Sequence, residues 1–247
     1  MNDLEKIFRE HQGNLIHKWD HYFEIYDRHF RRFRNEPLVL LEIGVSKGGS
    51  LEMWRKYFGG QCTIIGIDIN PACKQFEDEK TKIFIGSQDD RNFLRSLKQS
   101  VPRPQILIDD GGHMMHHLRI TFEELYDWVD DDGVYLAEDL HTCYWPVYEG
   151  GYKRKNSFME YCKGLTDQLN AWHSQQPGLT VNEFTRSTHS IHFYDSIVAI
   201  EKRKMKAPGH SFSGKKDAAD VVHEDPRIPG RWRRWKNEIY KRTGIQL

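Results

Sequence analysis

The stretch VLLEIGVSKGGS, residues Val39–Ser50, decides the fold of this chain of 247 residues. Its apolar run ends in Glu42, a glycine-rich turn follows, and a helix begins at about Ser50. Such a turn lets a nucleotide-like ligand lie against bare backbone, here at Gly44, while N–H groups at the start of the helix face it. The spacing E-x-G-x-x-x-G-G differs from the G-x-G-x-x-G of dinucleotide binders, because Ser46 stands at the second glycine. The pattern therefore favours S-adenosylmethionine, which has no pyrophosphate.

A second apolar run, Thr63–Asp68, ends in a carboxylate 24 residues after Gly44. An acidic residue at the end of the second strand usually binds the two hydroxyls of a cofactor ribose. We favour this role for Asp68 over the alternative, which is to cap the turn at Asn70 and Pro71.

A third run, Lys82–Gly86, leads to the polar residues Ser87, Gln88 and Asp89. We expect these side chains to reach the edge of an adenine ring. The same residues also suit the start of the next helix, where they would act as caps.

Two further strands both end in pairs of acidic residues. Gln105–Ile108 is followed by Asp109 and Asp110, and the strand at residues 133–137 is followed by Glu138 and Asp139. In a doubly wound sheet these ends open at one edge, and adjacent strands lie ~4.8 Å apart. Carboxylates grouped there without a cysteine suit Mg²⁺, or less specifically Mn²⁺ or Ca²⁺. The alternative is that Asp109 touches the cofactor while the other acids cap turns and helices.

His113 lies just beyond the fourth strand, three residues after Asp110. A neutral imidazole near a cation can accept a proton from an alcohol, although a helix-capping histidine is the commoner case. His116 and His117 are interpreted as structural or substrate-facing. The aromatic-rich loop Leu140–Gly151 suits a lid over a sugar or ring, and equally an oligomer contact or a packed surface loop.

Composition excludes several functional classes. Lys plus Arg and Asp plus Glu each total 36, so the formal net charge is zero and nothing favours nucleic-acid binding. No apolar run approaches the ~20 residues of a membrane span, and the N-terminus has no signal-peptide core. The four cysteines form no C-x-x-C pair, which predicts reduced thiols and a cytoplasmic protein.

Periodicity predicts three parts: helices in residues 1–36, a cofactor-binding domain at 37–203, and a tail or short helix at 204–247. In the first part, aromatic residues from Trp19 to Phe33 recur at three- and four-residue spacing and predict one apolar stripe. The alternation from Leu38 to Asp139 predicts a mostly parallel sheet with helices on both faces. An amphipathic helix from Phe158 to Trp172 follows. Strands near Leu179–Arg186 and Ser190–Glu201 are expected to close the sheet as an antiparallel pair.

Several motifs together resemble a known family, the metal-dependent class I sugar O-methyltransferases of the mycinamicin and macrocin type and their rhamnosyl relatives. The resemblance spans roughly residues 17–203. The motifs are LEIGVSKGGSL, GIDINP, IGSQDD, IDDGGHMMHH, YLAEDLHTCYW and SIHFYDSIVAIEK. The macrolide enzymes carry a sizeable N-terminal domain and usually a serine where Gly112 stands here.

The resemblance implies a seven-stranded, doubly wound Rossmann-like sheet and a cytoplasmic homo-oligomer that methylates a sugar hydroxyl with S-adenosylmethionine and Mg²⁺. It implies that Asp110, Glu138 and Asp139 bind Mg²⁺ and that His113 is the general base. It implies the following residues for the S-adenosylmethionine site: Glu42, Ser50, Asp68, Ser87, Gln88 and Asp109.

Other functions stay open. Catechol-like or other small-molecule hydroxyls fit the same metal chemistry. A nicotinamide oxidoreductase is disfavoured by Ser46. A non-enzymatic alternative is a binding or scaffold protein of the same fold, and the basic segment Arg231–Trp235 leaves room for a partner protein or polysaccharide.

Overall fold

A seven-stranded sheet organises the computed structural model, which describes residues 1–211, 213 and 214. The strands are β1 (Leu38–Ile43), β2 (Cys62–Asp68), β3 (Thr81–Ile85), β4 (Ile106–Asp109), β5 (Val134–Ala137), β6 (Thr188–Phe193) and β7 (Val198–Lys202). The helices are α1 (Asp3–Arg9), α2 (Tyr22–Phe30), α3 (Gly49–Phe58), α4 (Arg91–Ser100), α5 (Met115–Leu125), α6 (Phe158–Leu169) and α7 (Glu183–Ser187). Met1–Pro208 form one compact unit.

The strand order is β3-β2-β1-β4-β5-β7-β6. The first five strands are parallel, whereas β7 runs antiparallel to both β5 and β6. The order reverses between β1 and β4, where Ile43 pairs with Asp109. In an open sheet of this kind, ligands bind outside the strand ends at such a reversal. The predicted doubly wound, mostly parallel sheet with an antiparallel C-terminal pair is therefore confirmed.

Helices cover both faces because the strands are apolar on both sides. Leu40 and Leu41 are fully buried on opposite faces. Leu40 belongs to the core that includes α2 and α3, and Leu41 to the core that includes α4, α5 and α6. Strands that are buried on both faces are typical of a parallel sheet whose crossovers are helical.

The N-terminal aromatic stripe is real but shorter than predicted. Tyr26 and Phe30 on α2 pack against Trp54 of α3, with ring centroids 5.2 and 5.9 Å away. Trp19 is 50% exposed, because it lies in the extended segment that precedes α2. Phe33 lies in a short 3-10 helix and is only partly buried.

The predicted strand at Leu179–Arg186 is wrong. The chain there forms α7, whose capping box pairs the Asn182 and Thr185 side chains with each other's backbone N–H. The antiparallel partners are instead β6 and β7, so the hairpin begins at Thr188.

Two further expectations concern chemistry and location. All four cysteines are buried free thiols, as predicted. Among the described residues, no helix has the length and apolar character needed to cross a bilayer. Most of the predicted tail, including Arg231–Trp235, lies outside the described residues.

Candidate active site

A cavity of about 540 Å³ opens at the edge of the sheet where β1, β2 and β4 end. Its volume falls in the usual range for small-molecule sites. An extended segment before α2, residues 11–20, which we term the strap, borders the cavity. The lining includes Leu15, Ile16, His17, Lys18, Gly44, Ser46, Ser50, Asp68, Ser87, Gln88, Asp110, His113, His117 and Asp139.

The turn after β1 needs glycine at Gly44. Its φ of 95° is in the left-handed region, and a Cβ there would lie 2.0 Å from the carbonyl oxygen of Asp110. The loops after β1 and β4 therefore meet backbone to backbone. This close approach brings the predicted cofactor turn beside the predicted acidic cluster.

Asp68 borders the same cavity and joins two loops. Its Oδ2 accepts a hydrogen bond from the Ser46 N–H at 2.9 Å, and its Oδ1 accepts one from the Asn70 N–H at 2.8 Å. The turn-capping contact is thus present. Binding of a ribose by Asp68 stays a prediction, and the carboxylate lies at the cavity where that role requires it.

Glu42 lies beneath the cavity floor and does not line it. The carboxylate is fully buried and accepts hydrogen bonds from Ser50 Oγ at 2.9 Å and from Trp54 Nε1 at 3.1 Å. Burial raises its pKa. Glu42 thereby fixes the start of α3, and Ser50 is the member of this pair that reaches the cavity.

Gln88 connects three elements under the cavity. Its amide donates to Asp109 Oδ1 at 2.9 Å and to Thr121 Oγ1 at 3.1 Å, while its oxygen accepts from the Gly112 N–H at 2.6 Å. Asp109 is fully buried, also accepts from the Tyr135 hydroxyl at 3.0 Å, and does not line the cavity. Burial raises the pKa of Asp109 to about 7. Both residues hold the floor in shape.

The segment at Ser87–Asp89 does not cap the following helix. Asp90 does so, because its side chain accepts hydrogen bonds from the N–H groups of Asn92 and Phe93. The Ser87 hydroxyl donates to Asp89, and Ser87 lines the cavity beside Gln88. The predicted contact with adenine stays a prediction.

Lys18 of the strap lies between two of the predicted metal ligands. Its Nζ is 2.5 Å from Asp110 Oδ2 and 2.7 Å from Glu138 Oε2, and its side chain is 4% exposed. Burial opposes its charge, but Asp110 and Glu138 raise the pKa of Lys18 well above its usual value. Burial and Asp110 raise the pKa of Glu138, and Lys18 acts against them.

Asp139 and His113 both adopt left-handed backbone conformations, each with a φ of 53°. Such conformations in non-glycine residues cost energy and gather at functional sites. The Tyr22 hydroxyl donates to Asp139 Oδ1 at 2.7 Å. His113 Nε2 lies 3.7 Å from Asp139 Oδ2 and 4.0 Å from Asp110 Oδ1, while its Nδ1 is buried without a partner.

The residues present fit a divalent cation. Asp110, His113 and Asp139 each offer one ligand atom, all within 4.8 Å of one another. Each of the three predicted acids keeps one oxygen that accepts no hydrogen bond from a described residue, and that of Glu138 is buried. Oxygen donors of this kind suit Mg²⁺. Glu138 does not belong to the compact set, and its Oε2 is instead bound to Lys18.

Of the other predicted residues, His117 lines the cavity, whereas His116 and the aromatic loop do not. His116 Nδ1 is 2.8 Å from Glu149, and the Nε2 atoms of His116 and His117 lie 3.7 and 3.6 Å from Asp89. The aromatic loop forms two short 3-10 helices, and its Trp145 is 47% exposed. The ion pairs are consistent with a structural role for His116, and the choice between structural and substrate-facing roles stays a prediction.

Known proteins resemble this chain, although no protein-family model matches it. It is 34% identical to a demethylmacrocin O-methyltransferase of Streptomyces fradiae, over 76% of the chain and 51% of that protein. It is 31% identical to an 8-demethyl-8-alpha-L-rhamnosyl tetracenomycin-C 2'-O-methyltransferase of Streptomyces olivaceus, over 76% of the chain and 52% of the relative. The chain thus spans about half the length of these curated relatives.

Solved structures agree. The MycE methyltransferase from the mycinamycin biosynthetic pathway, in complex with Mg and S-adenosylhomocysteine, shows 29% identity and a TM-score of 0.72 over 82% of this chain and 55% of that one. A complex of MycE that also holds mycinamycin VI shows 28% identity and a TM-score of 0.74, over 90% of this chain and 58% of that one. The predicted resemblance is confirmed: the chain is a homologue of the sugar O-methyltransferases of antibiotic pathways and has their Rossmann-like methyltransferase fold.

Proposed function

We propose that this protein transfers a methyl group from S-adenosylmethionine to a hydroxyl of a sugar on a glycosylated acceptor. The observation that carries the proposal is the cluster of Asp110, His113 and Asp139 at the cavity beside the glycine turn. The relatives' names describe O-methylation of sugar-bearing natural products, and MycE holds Mg, S-adenosylhomocysteine and mycinamycin VI.

In this proposal, one side of the cavity binds the methyl donor and the other side binds the acceptor. On the first side, the glycine turn, Asp68 and Ser87 line the cavity, and in this proposal they bind S-adenosylmethionine. The other side carries the acids and His113, so donor and acceptor meet between them. Holding both reactants in line supplies a large part of a transfer rate.

His113 is assigned the role of general base. Its Nε2 faces Asp110 and Asp139 at the cavity, where in this proposal it takes the hydroxyl proton. A divalent cation held by Asp110, Asp139 and Glu138 would stabilise the developing alkoxide on the acceptor. The buried neighbours Gln88 and Tyr22 keep these groups oriented.

The test is methyl transfer from labelled S-adenosylmethionine to a panel of rhamnosylated and macrolide glycosides and a catechol, each with Mg²⁺ and with excess chelator. We expect label on the glycosides alone, lost with chelator. His113→Gln should lower turnover by at least ~100-fold, whereas the exposed His173→Gln should not. Label on the catechol alone would reassign the acceptor class, and transfer unchanged by chelator would remove the cation from the mechanism. The cytoplasmic location and homo-oligomer stay predictions, and light scattering tests the latter.

A further inference from the structure

Lys18 lies where a cation for Asp110 and Glu138 would be expected. Its ammonium contacts one oxygen of each acid, at 2.5 and 2.7 Å. No other lysine or arginine among the described residues forms an ion pair with either acid. The strap therefore supplies the counter-charge of the acidic cluster.

A divalent cation and this ammonium compete for the same oxygens. The three acids carry a formal charge of −3 when ionised, which Lys18 reduces to −2 and a divalent ion alone would reduce to −1, so the divalent ion is the stronger counter-charge. The compact set of ligand atoms on Asp110, His113 and Asp139 leaves Glu138 out, so Glu138 completes the predicted ligand set only if its carboxylate reorients from its present contact with Lys18. Like charges this close in a buried site repel strongly.

The strap is held to the rest of the domain at two places, near Asn14 and at Lys18. At one end, Asn14 Nδ2 donates to Glu52 at 2.7 Å, and the backbone passes so close to Gly49 that a Cβ there would lie 2.3 Å from the Asn14 carbonyl oxygen. Between Asn14 and Trp19, the contacts of Lys18 are the hydrogen bonds that hold the strap to the rest of the described chain. Leu15 and Ile16 between these ends line the cavity.

We propose that Lys18 is an internal competitor of the divalent cation, so that cation binding expels its side chain from the acid pair and frees this end of the strap. The inference rests on the proposed function, because it takes the acids to be the cation site. It makes Lys18 a positioning residue whose removal tightens cation binding. A merely structural lysine would have the opposite effect, since Asp110 and Glu138 would lose their alignment.

The first test is calorimetric titration of the full chain with Mg²⁺ alone. Lys18→Met keeps the aliphatic stem and removes the charge, and we expect it to bind Mg²⁺ at least ~10-fold more tightly than the wild type. Lys56→Met removes an equal charge from an exposed residue that forms no ion pair with an acid among the described residues, and we expect its affinity to match the wild type. Equal or weaker binding by Lys18→Met overturns the competition. Binding of Mg²⁺ by neither protein overturns the cation site of the proposed function as well.

The second test needs no variant, so it decides even where Lys18→Met fails to fold. The wild-type chain is treated with an amine-acetylating reagent with and without saturating Mg²⁺, and labelling is read by peptide mass spectrometry. Lys18, almost fully buried now, should be labelled several-fold faster with Mg²⁺, while exposed Lys56 keeps its rate as internal reference. A labelling rate of Lys18 that does not change with Mg²⁺ contradicts the expulsion of its side chain. It leaves the proposed function intact, because methyl transfer to glycosides can still be observed.

Discussion

Tyr22 donates a hydrogen bond from its hydroxyl to Asp139 Oδ1 at 2.7 Å, and the same hydroxyl accepts one from the Asp139 N–H at 3.3 Å. The first residue of α2 therefore holds both the side chain and the backbone of an acid that follows β5. Asp139 has a left-handed φ of 53°, a conformation that costs energy in a non-glycine residue. The two hydrogen bonds from Tyr22 stabilise this conformation of a predicted metal ligand.

Tyr22→Phe should impair the site without unfolding the protein. The change removes a partner that orients a candidate ligand, and such partners are worth about 10- to 100-fold in metal affinity or activity. We expect that loss in methyl transfer, with unchanged affinity for S-adenosylhomocysteine by calorimetry. Tyr57→Phe is the matched control. The Tyr57 hydroxyl donates a hydrogen bond of 2.8 Å to Asp27, and neither residue lines the cavity. Equal activity of the two variants would show that Tyr22 does not orient Asp139.

Gly44→Ala should unfold the turn after β1. The new Cβ would meet the Asp110 carbonyl oxygen at 2.0 Å, and φ would be strained at 95°. We expect a loss of about 3 kcal/mol or more in the free energy of unfolding, measured by urea denaturation. Gly60→Ala, where a Cβ meets nothing within 4 Å, should change stability by less than about 1 kcal/mol. Similar losses in both variants would contradict the close approach.

Asp109 should make stability fall as the pH rises from about 4 to about 7. Its folded pKa is raised to about 7 by burial, against roughly 3.9 in an unfolded chain. The folded state thus binds the proton more tightly, so this contribution is complete below the unfolded pKa and is lost as the pH rises through the folded one. Asp109→Asn cannot titrate, and it should gain stability relative to wild type across this window.

The measurement is urea denaturation of both proteins at several pH values. Asp167→Asn, a change at an exposed carboxylate, should keep a constant difference from wild type. A difference between wild type and Asp109→Asn that does not vary with pH would show that Asp109 has the same pKa in the folded and unfolded states.

The cysteines should be inert in the native protein. Burial raises the pKa of the thiols of Cys62 to about 12 and of Cys73 and Cys143 to about 11, and that of Cys162 well above its usual value. Because the thiolate is the reactive form, an aromatic disulfide reagent should modify all four only in urea. Rapid release of chromophore from the native chain would mean that a thiol is accessible.

Most of the sheet could be predicted because each strand is a short apolar run that ends in a polar residue. The same local pattern placed Asp110, His113 and Asp139 at one edge, since parallel strands share their direction. The strand predicted near Leu179 failed because the apolar residues there alternate like a strand. The better signal was Asn182 followed by Thr185, a pair that caps a helix.

Lys18 could not be predicted in the same way. Its partners lie 92 and 120 residues away, and no local spacing marks a lysine that will be buried. A lysine between a polar segment and an aromatic helix is expected to be exposed to solvent. The roles of Gln88 and Tyr135 around Asp109 are hidden for the same reason, because tertiary contacts alone define them.

The strap also has a consequence for biosynthesis. Residues 11–20 are translated before the acid that completes their docking site, because Glu138 follows Lys18 by 120 residues. During that interval the lysine has no acidic pair to enter, and the surface of α3 beneath the strap is formed before its cover can close. We therefore expect residues 11–20 of the nascent protein to stay open to protease until the chain has been made past Glu138.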